Sequence, residues 1–363
     1  MDETFSTLND RTRPNSLGFL RYLLAALVVF SHSFTLGRFG AEPLSAWTDG
    51  REKLGGFAVT CFFILSGFLI AHSYASLNSL PHFLWHRILR IFPGFLVCLV
   101  IVAFGFGTYF YWAHYHTLNG YLTPRTNDGP VQYVVYNAGL IIRRPVIAGT
   151  LSTAVFPHIN GALWTLAYEF ACYLLVGLLG FLGLLTRRRM AGLVVVVTMM
   201  TAISLSFLPG MVTYKAWLWR DPYAPRLVLF FLGGVLTNLL SRYVRAHWLI
   251  FAVAVTATAA SLHYSSWFYA MGPLTLSYVI FWLGLRVRMS WWDKPGDFSY
   301  GVYIYGFPIQ QLLSLTHVNR FGVAVYFIAS LGFATLLAVT SFHFIERPAL
   351  RLKNLWWKRS VRA

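Results

Sequence analysis

The sequence predicts an all-α integral membrane protein, built as a bundle of about ten transmembrane helices. Of its 363 residues, 57% are hydrophobic, 18% are aromatic and 11% are charged, whereas soluble domains carry about 25% charged residues. Apolar runs of about 20 residues recur along the chain, which is the length that a helix needs to cross about 30 Å of hydrocarbon. Transmembrane strands would alternate apolar and polar residues, and these runs do not.

The predicted spans form one membrane domain, residues 17–343, which is expected to carry the activity. Residues 1–16 are a predicted cytoplasmic N-terminal tail, and residues 344–363 are a predicted basic cytoplasmic tail. The predicted spans are residues 17–36, 54–73, 91–113, 161–185, 190–208, 224–241, 246–263, 267–285, 297–316 and 321–343.

The first span is predicted to be retained in the mature protein. It is too long and too polar for a cleaved signal peptide, and no small-residue cleavage site follows it. One connection is long, residues 114–160, and long loops in compact domains are often functional. Its apolar middle, residues 131–150, is expected to lie along the membrane interface or to dip partway into it.

The net charge of +17 records membrane topology rather than nucleic-acid binding. With the N-terminus inside, more of the 29 Lys and Arg residues fall on the inner side of the membrane than on the outer side. This bias follows the positive-inside rule and favours contact with anionic lipid head groups. The sequence therefore predicts a protein of the cytoplasmic (inner) membrane with both termini in the cytoplasm, and it predicts no nucleic-acid partner.

Metal and nucleotide motifs are not found in the sequence. The three cysteines, Cys61, Cys98 and Cys172, fall inside predicted spans without a metal-like spacing, and we interpret them as packing residues. G-x-G-x-x-G, phosphate-loop and H-E-x-x-H patterns do not occur. The sequence therefore predicts no metal site and no bound cofactor, and it disfavours a nucleotide-hydrolysing pump.

Arg21 and His32 are the first candidate site residues, and both lie in the first span. Eleven residues at about 100° each bring both side chains to one helical face, about 16 Å apart along the axis. Ionisable groups inside a membrane helix usually mark a substrate or ion path. The alternatives are a helix-packing histidine and an arginine that reaches the head groups at the inner end of the span.

Glu169 is the third candidate, about 12 Å deep in the fourth span. An isolated carboxylate at that depth is costly, so we expect it to be neutral, paired or in contact with water. Its predicted depth is similar to that of His32. A carboxylate bonded to one ring nitrogen would fix the tautomer and raise the basicity of the other nitrogen. A purely structural contact between helices is the alternative.

Arg87 and Arg90 precede the third span and are candidates for binding phosphate groups. Their spacing of three places both guanidinium groups on one helical face at the predicted cytoplasmic surface. A forked guanidinium suits phosphate oxygens. Ordinary positive-inside charge explains the pair equally well.

Together these stretches resemble the acyltransferase 3 family of membrane-bound acyltransferases, and the resemblance runs from about residue 15 to residue 350. Each motif is weak alone, but their order and spacing are specific. The stretches are Arg21 with Ser31-His32, Phe62 to Ile70, Arg87-x-x-Arg90-Ile91-Phe92-Pro93, Leu163 to Glu169, Phe298 to Tyr303, and Glu346-Arg347-Pro348.

The resemblance implies a bundle of about ten helices that moves an acyl group, usually acetyl, from cytoplasmic acyl-CoA to a hydroxyl of an extracytoplasmic or surface carbohydrate. Acyl-CoA is then a co-substrate, and the other expected partners are the carbohydrate acceptor and the lipid bilayer. The resemblance also implies that Arg21 and His32 are essential and that Arg87 and Arg90 engage the donor. Glu169 matches the acid of the family's Trp-to-Glu stretch.

The chemistry of acyl transfer is consistent with these roles. A sugar hydroxyl attacks a thioester slowly unless its proton is removed as the new bond forms. We hypothesise that His32, oriented by Glu169, is the general base, and a transient acyl-histidine is equally consistent with the residues. Arg21 would hold a donor phosphate or stabilise the developing oxyanion.

One position departs from the family pattern, and two other functions stay open. Many relatives carry a histidine two residues before a proline in the ninth span, where this chain has Gly306. A transporter or flippase of a lipid-linked sugar would use Arg21, His32 and Glu169 as a proton relay. A structural subunit of a polysaccharide-export complex would need none of the three individually.

Overall fold

The computed structural model describes residues 3–10, 15–123, 127–152, 154–185, 224–293 and 296–355, with isolated positions between 192 and 200. Within these ranges every regular element is helical, apart from one isolated antiparallel bridge between Thr4 and Arg245. The α-helices are α1 (Leu17–Leu36), α2 (Pro43–Trp47), α3 (Leu54–Leu77), α4 (Leu80–Ile101), α5 (Gly107–Tyr115), α6 (Pro130–Asn137), α7 (Thr165–Phe181), α8 (Ala224–Leu240), α9 (Trp248–Leu262), α10 (Ser265–Arg286), α11 (Ser299–Leu315), α12 (Val323–Ser341) and α13 (Arg347–Arg351).

Each predicted span that lies in the described part of the chain overlaps one of these helices, although the boundaries differ at several ends. The fifth predicted span, residues 190–208, lies outside the described residues apart from isolated positions. Five helical stretches are long and apolar enough to cross a membrane, and α7, α8 and α9 are shorter apolar helices. The all-helical integral membrane fold is therefore confirmed, and the number of ten spans stays a prediction. The five long stretches are Leu17–Leu36, Leu54–Leu77, Leu80–Tyr115, Trp267–Arg286 and Val323–Asn354.

The third predicted span differs from the structure at its beginning. Its helix starts at Leu80, well before the predicted residue 91, and continues through a π-helical segment, Val102–Phe106, into α5. Hydropathy marks where a helix becomes apolar, whereas its backbone hydrogen bonds extend through polar residues as well. The motif with Arg87 and Arg90 is consequently part of α4 itself. A second π segment, Phe342–Glu346, joins α12 to α13.

The chain forms two compact units, and the first comprises Met1–Leu24, Pro43–Leu84 and Tyr168–Gly296. Glycines bring α3 and α8 into backbone contact inside it. A Cβ on Gly67 would lie 2.0 Å from the Phe231 carbonyl oxygen, and a Cβ on Gly234 would lie 2.0 Å from the Ile64 carbonyl oxygen. Small residues at a helix crossing are typical of membrane helices, because close packing replaces the hydrophobic driving force there.

A buried ion pair joins the start of α8 to the residues before α3 in the same unit. Arg226 donates through Nη1 and Nη2 to the two carboxylate oxygens of Glu52, at 2.6 and 3.0 Å, and through Nε to Thr60 Oγ1 at 3.0 Å. Both charged residues are at most 6% exposed. A bidentate pair whose Nε is also hydrogen-bonded meets the conditions for a tolerable buried charge. Arg226 is therefore a structural residue rather than a free topology charge.

The second unit comprises Ala25–Glu42, Trp85–Ala167 and Asp297–Ala363, and α11 runs through its core. Pro308 lies inside α11 and has no N–H, so the carbonyl of Ile304 loses its helical partner. Asn160 replaces that partner by donating through Nδ2 to Ile304 O at 2.8 Å. Gly301 allows α11 to approach α12, because a Cβ there would lie 2.6 Å from the Cβ of Ala338.

Candidate functional site

His32 lies on α1 within the second unit, and the residue is half-buried. Its neighbours in sequence, Ser31 and Ser33, are both buried. Its ring meets the ring of Phe307 edge to face, with centroids 5.2 Å apart. The turn that carries His32 is held by Gln310 of α11, which donates through Nε2 to Val29 O at 2.8 Å and to Ser33 Oγ at 2.9 Å. The imidazole is thus presented by a fixed helical turn in a partly apolar setting.

Phe307 continues from His32 into a row of rings in the long connection. Its centroid lies 5.8 Å from that of Phe156, which in turn lies 4.6 Å from the ring of His158. Gln311 holds the backbone of this part of the connection by donating through Nε2 to Phe156 O at 2.7 Å and to His158 O at 3.0 Å. Burial lowers the pKa of His158 below its usual range. His158 is therefore a neutral imidazole at pH 7.

Tyr303 ties the beginning of the Trp-to-Glu stretch to α11. Its hydroxyl donates to Ala162 O at 2.8 Å and shares a 2.6 Å hydrogen bond with the hydroxyl of Thr165. Leu36, Ala162 and Phe307 form a small buried apolar cluster beside these bonds. Because polar and apolar contacts act together, the end of the long connection is anchored against α11.

Gly306 lies on α11, two residues before Pro308, at the position where the sequence departs from the expected family pattern. A Cβ at this position would lie 2.8 Å from Val29 Cγ2, so α1 and α11 approach each other closely here. Contacts under about 3 Å require a neighbour to move. The close approach of two helices therefore gives the glycine a packing role.

Arg21 lies on α1 within the first unit and is half-buried. The start of α1 is tied to the end of α10, because Ser16 N donates to Gly284 O at 3.0 Å and Ser16 Oγ donates to Val287 O at 2.6 Å. Tyr22 packs on Trp292, with ring centroids 4.9 Å apart. These contacts fix the helical turns on both sides of Arg21.

Glu169 lies on α7 within the first unit, and two hydroxyl groups converge on one of its oxygens. Ser66 of α3 donates through Oγ to Glu169 Oε1 at 3.3 Å, and the hydroxyl of Tyr173 donates to the same oxygen. Tyr173 stands one turn further along α7 and is buried. Within the described part of the chain, Glu169 Oε2 accepts no hydrogen bond. Two hydroxyl donors therefore hold one oxygen of the carboxyl group in place, and the other oxygen remains available.

Arg90 is part of an ion cluster at the start of α11. Its Nη2 donates to Asp297 Oδ2 at 2.6 Å, and its Nη1 lies 3.8 Å from Glu346 Oε2. Asp297 Oδ1 also accepts from the backbone N–H and the hydroxyl of Ser299, at 3.1 and 2.5 Å. The hydroxyl of Tyr300 donates to Ile91 O at 2.8 Å. Arg90 therefore fastens α4 to the start of α11 and to the π segment that carries Glu346.

The predicted site residues divide between the two units. Arg21 and Glu169 belong to the first unit, and His32, Arg87 and Arg90 belong to the second. Arg87 lies one turn before Arg90 on α4 and is half-buried. That these five residues take part in the reaction stays a prediction.

Several residues around these groups were not found by sequence reasoning. Gln310 near His32, Tyr173 beside Glu169 and Asp297 beside Arg90 were missed. Glu346 was recognised only as part of a motif, and its position near Arg90 was missed as well. Each is a polar side chain beside or within an apolar run, and this position in the sequence is the feature that could have identified it. In the described ranges, no three His, Cys, Asp or Glu side chains lie close enough together to hold a metal ion.

Comparison with known proteins gives similarity over nearly the whole chain. A family model described as an acyltransferase domain, acyltransferase 3, matches residues 15–343. The chain is similar to a protein named O-acetyl transferase of Shigella phage Sf6, at 26% identity over 93% of this chain and 96% of the relative. It is also similar to Nodulation protein 10 of Rhizobium leguminosarum bv. viciae, at 25% identity over 94% of each chain. No solved structure matches.

Proposed function

We propose, from the premise that this chain belongs to the acyltransferase 3 family of membrane O-acyltransferases, that it transfers an acetyl group from cytoplasmic acyl-CoA to a hydroxyl of an extracytoplasmic or surface carbohydrate. The observation that carries the proposal is His32, an imidazole on a membrane helix whose turn is held by Gln310. Acetyl is the proposed acyl group because the phage relative is named an O-acetyl transferase. The carbohydrate acceptor comes from the motif resemblance.

His32 serves as the general base in this proposal. As the acceptor oxygen attacks the thioester carbonyl carbon, the imidazole takes the hydroxyl proton, and the C–O bond forms while the C–S bond breaks. The departing CoA thiolate then recovers a proton from the imidazolium. The edge of Phe307 against the ring limits its rotation, which keeps one nitrogen directed at the acceptor. A transient acyl-histidine leads to the same products in two steps.

Glu169 acts in the proposal as an ionised carboxylate of the reaction site. The hydroxyl groups of Ser66 and Tyr173 stabilise its charge through Oε1 and so offset part of the cost of a carboxylate within the membrane. Oε2 then remains available for a polar group of the reaction. Replacement of Glu169 by Gln keeps the shape of the side chain but removes the charge.

Arg87 is the residue that we assign to the donor phosphates, together with Arg21. Arg90 already donates to Asp297 and lies near Glu346, so its contribution is to hold α4 in place for Arg87. A guanidinium that binds phosphate in two-point fashion suits the diphosphate of CoA. In this proposal the basic inner loops face the cytoplasm, both termini are cytoplasmic, and the protein resides in the inner membrane.

Membranes that contain the protein, incubated with acetyl-CoA labelled in the acetyl group, provide the test. We expect label to pass to carbohydrate with the wild-type protein and with His343→Ala, which changes an exposed histidine outside the site. His32→Ala should reduce transfer by at least about 10²-fold while the protein remains folded in the membrane. Normal transfer by His32→Ala would refute the role of His32, and labelled protein without labelled carbohydrate would refute the acceptor.

The family assignment favours the enzyme over a transporter. A transporter with a proton relay through Arg21, His32 and Glu169 would move its cargo without any transfer of label. The same incubation therefore separates the two functions in one measurement.

A further inference from the structure

A cavity of about 310 Å³ lies within the first unit, between the ends of α3 and α8 and the N-terminal segment Phe5–Asn9. It is lined by apolar residues and by hydroxyl, amide, imidazole and guanidinium groups. None of the lining residues belongs to the acyl-transfer residues proposed above. The polar lining residues are Ser6, Asn9, His72, Ser76, Asn238, Ser241 and Arg242.

The cavity lies at the C-terminal end of α3, about one hydrocarbon thickness along the helix from its first residue. Helix α3 begins at Leu54, and its last turns, His72 to Ser76, line the cavity. At 1.5 Å per residue, these residues are about 27–33 Å along the helix axis from Leu54, which is close to the thickness of the hydrocarbon core. A ligand in the cavity is thus beside the glycerol and phosphate groups of one leaflet.

The charges around the cavity favour an anion. The side chain of Arg242 is exposed at the rim and makes no ion pair within the described part of the chain. A guanidinium next to the end of a membrane helix attracts anionic lipid head groups.

The ends of α3 and α8 add a second requirement. Both helices present their C-terminal turns to the cavity, and the last carbonyl groups of a helix carry partial negative charge and lack helical donors. A bare anion is poorly placed there, because those carbonyls oppose it. A head group that combines a phosphate with hydroxyl groups meets both requirements, since the phosphate pairs with Arg242 and the hydroxyl groups donate to the carbonyls.

We propose that this cavity binds the head group of an anionic phospholipid that carries a phosphate and free hydroxyl groups, of the phosphatidylglycerol type. Its volume is at the lower end of the range of about 300–1,000 Å³ for small-molecule sites. That space accommodates a glycerophosphate group, whereas an acyl-CoA is far larger. The site is thus separate from donor binding and goes beyond the proposed function.

Thermal unfolding of the purified full-length protein in a neutral detergent, with increasing phosphatidylglycerol, tests the proposal. A ligand that binds the folded state raises the melting temperature in proportion to the logarithm of its concentration over Kd. We expect Arg242→Gln to weaken the affinity at least about tenfold, because it removes a charge-assisted hydrogen bond. Arg245→Gln is the matched control, since Arg245 is exposed on the same connection and does not line the cavity.

A second variant fills the cavity without a change of charge. Ala75 lines the cavity and is exposed, so Ala75→Trp should remove the stabilisation by phosphatidylglycerol while the unliganded protein still unfolds cooperatively. Phosphatidylcholine, whose head group has a phosphate but no donor, should stabilise the wild-type protein less.

Four results would overturn the proposal. They are an equal loss of affinity in Arg242→Gln and Arg245→Gln, full stabilisation of Ala75→Trp, the same stabilisation by inorganic phosphate at equal concentration, and displacement of phosphatidylglycerol by acetyl-CoA. Because the readout is binding, its outcome is independent of acyl transfer.

Discussion

Arg90→Met is the substitution that best separates a structural arginine from a donor-binding one. Arg90 bonds Asp297 at 2.6 Å and lies 3.8 Å from Glu346, with side-chain exposures of 17%, 24% and 2% for the three residues. Methionine keeps much of the apolar stem but removes the charge and all hydrogen-bond donors. Glu346 is then left buried without the nearby Arg90 cation, and its Oε1 still accepts a hydrogen bond from Ser341 Oγ at 3.3 Å.

The expected loss of stability follows from this geometry. Removal of one partner of a buried ion pair costs about 3–5 kcal/mol, and the partial exposure of Arg90 and Asp297 reduces this to about 3 kcal/mol by solvent screening. Asp297→Asn should cost less, about 1–2 kcal/mol, because asparagine Oδ1 still accepts from Ser299. Addition of Glu346→Gln to Arg90→Met should recover most of the loss, since glutamine removes the buried charge.

Thermal or denaturant-induced unfolding in detergent checks these stability values. Acetyl-transfer assays measure KM for acetyl-CoA, which reports on donor binding. Arg90→Met should lower the melting temperature by several degrees, whereas Arg351→Met, an exposed arginine on α13, should leave it unchanged. Arg87→Ala should instead raise KM for acetyl-CoA. An unchanged melting temperature in Arg90→Met, or no recovery on addition of Glu346→Gln, would refute a structural ion cluster.

Three further predictions concern other parts of the molecule. Tyr173→Phe removes a donor to Glu169 and should lower kcat with little change in KM for acetyl-CoA; a change in KM alone would contradict the positioning role. Burial lowers the pKa of His158, so the unfolded chain takes up a proton at this residue at a higher pH than the folded chain. Stability should therefore fall as the pH drops below about 6.5. His158→Gln should weaken the dependence of the melting temperature on pH in this range, and an unchanged dependence would count against the assignment. Gly67→Ala places a Cβ 2.0 Å from a backbone oxygen and should impair folding. Gly332→Ala meets open space and should be neutral or stabilising by about 0.5–1 kcal/mol. Similar yields of folded protein from both variants would argue against the close helix crossing.

The fold class could be predicted because it depends on local properties of the chain. Apolar runs of sufficient length require helices in a membrane, since every backbone N–H and C=O must find a partner within the segment. The predicted start of the third span was wrong, because the apolar part of a helix and its hydrogen-bonded backbone begin at different residues. The helix that carries Arg87 and Arg90 begins at Leu80, because polar residues extend a helix beyond the apolar part.

The candidate site was predictable only as a set of separate residues. His32, Arg21 and Glu169 stand out in the sequence because an ionisable group inside a span needs a reason. Their partners do not stand out in the same way. Gln310 and Tyr173 are ordinary polar residues whose roles depend on which helix faces them, and that is a property of packing.

By itself the sequence determined an integral membrane bundle of helices, the residues within it that carry ionisable groups, and the motifs of the acyltransferase 3 family. These follow from composition, hydropathy and order along the chain. Tertiary structure alone decided which charges are committed to ion pairs. Arg226 pairs with Glu52, and Arg90 pairs with Asp297, although both arginines look like topology charges in the sequence. The physical reason is that an ion pair joins residues far apart in the chain, and only the packing of helices brings their charges within a few ångströms.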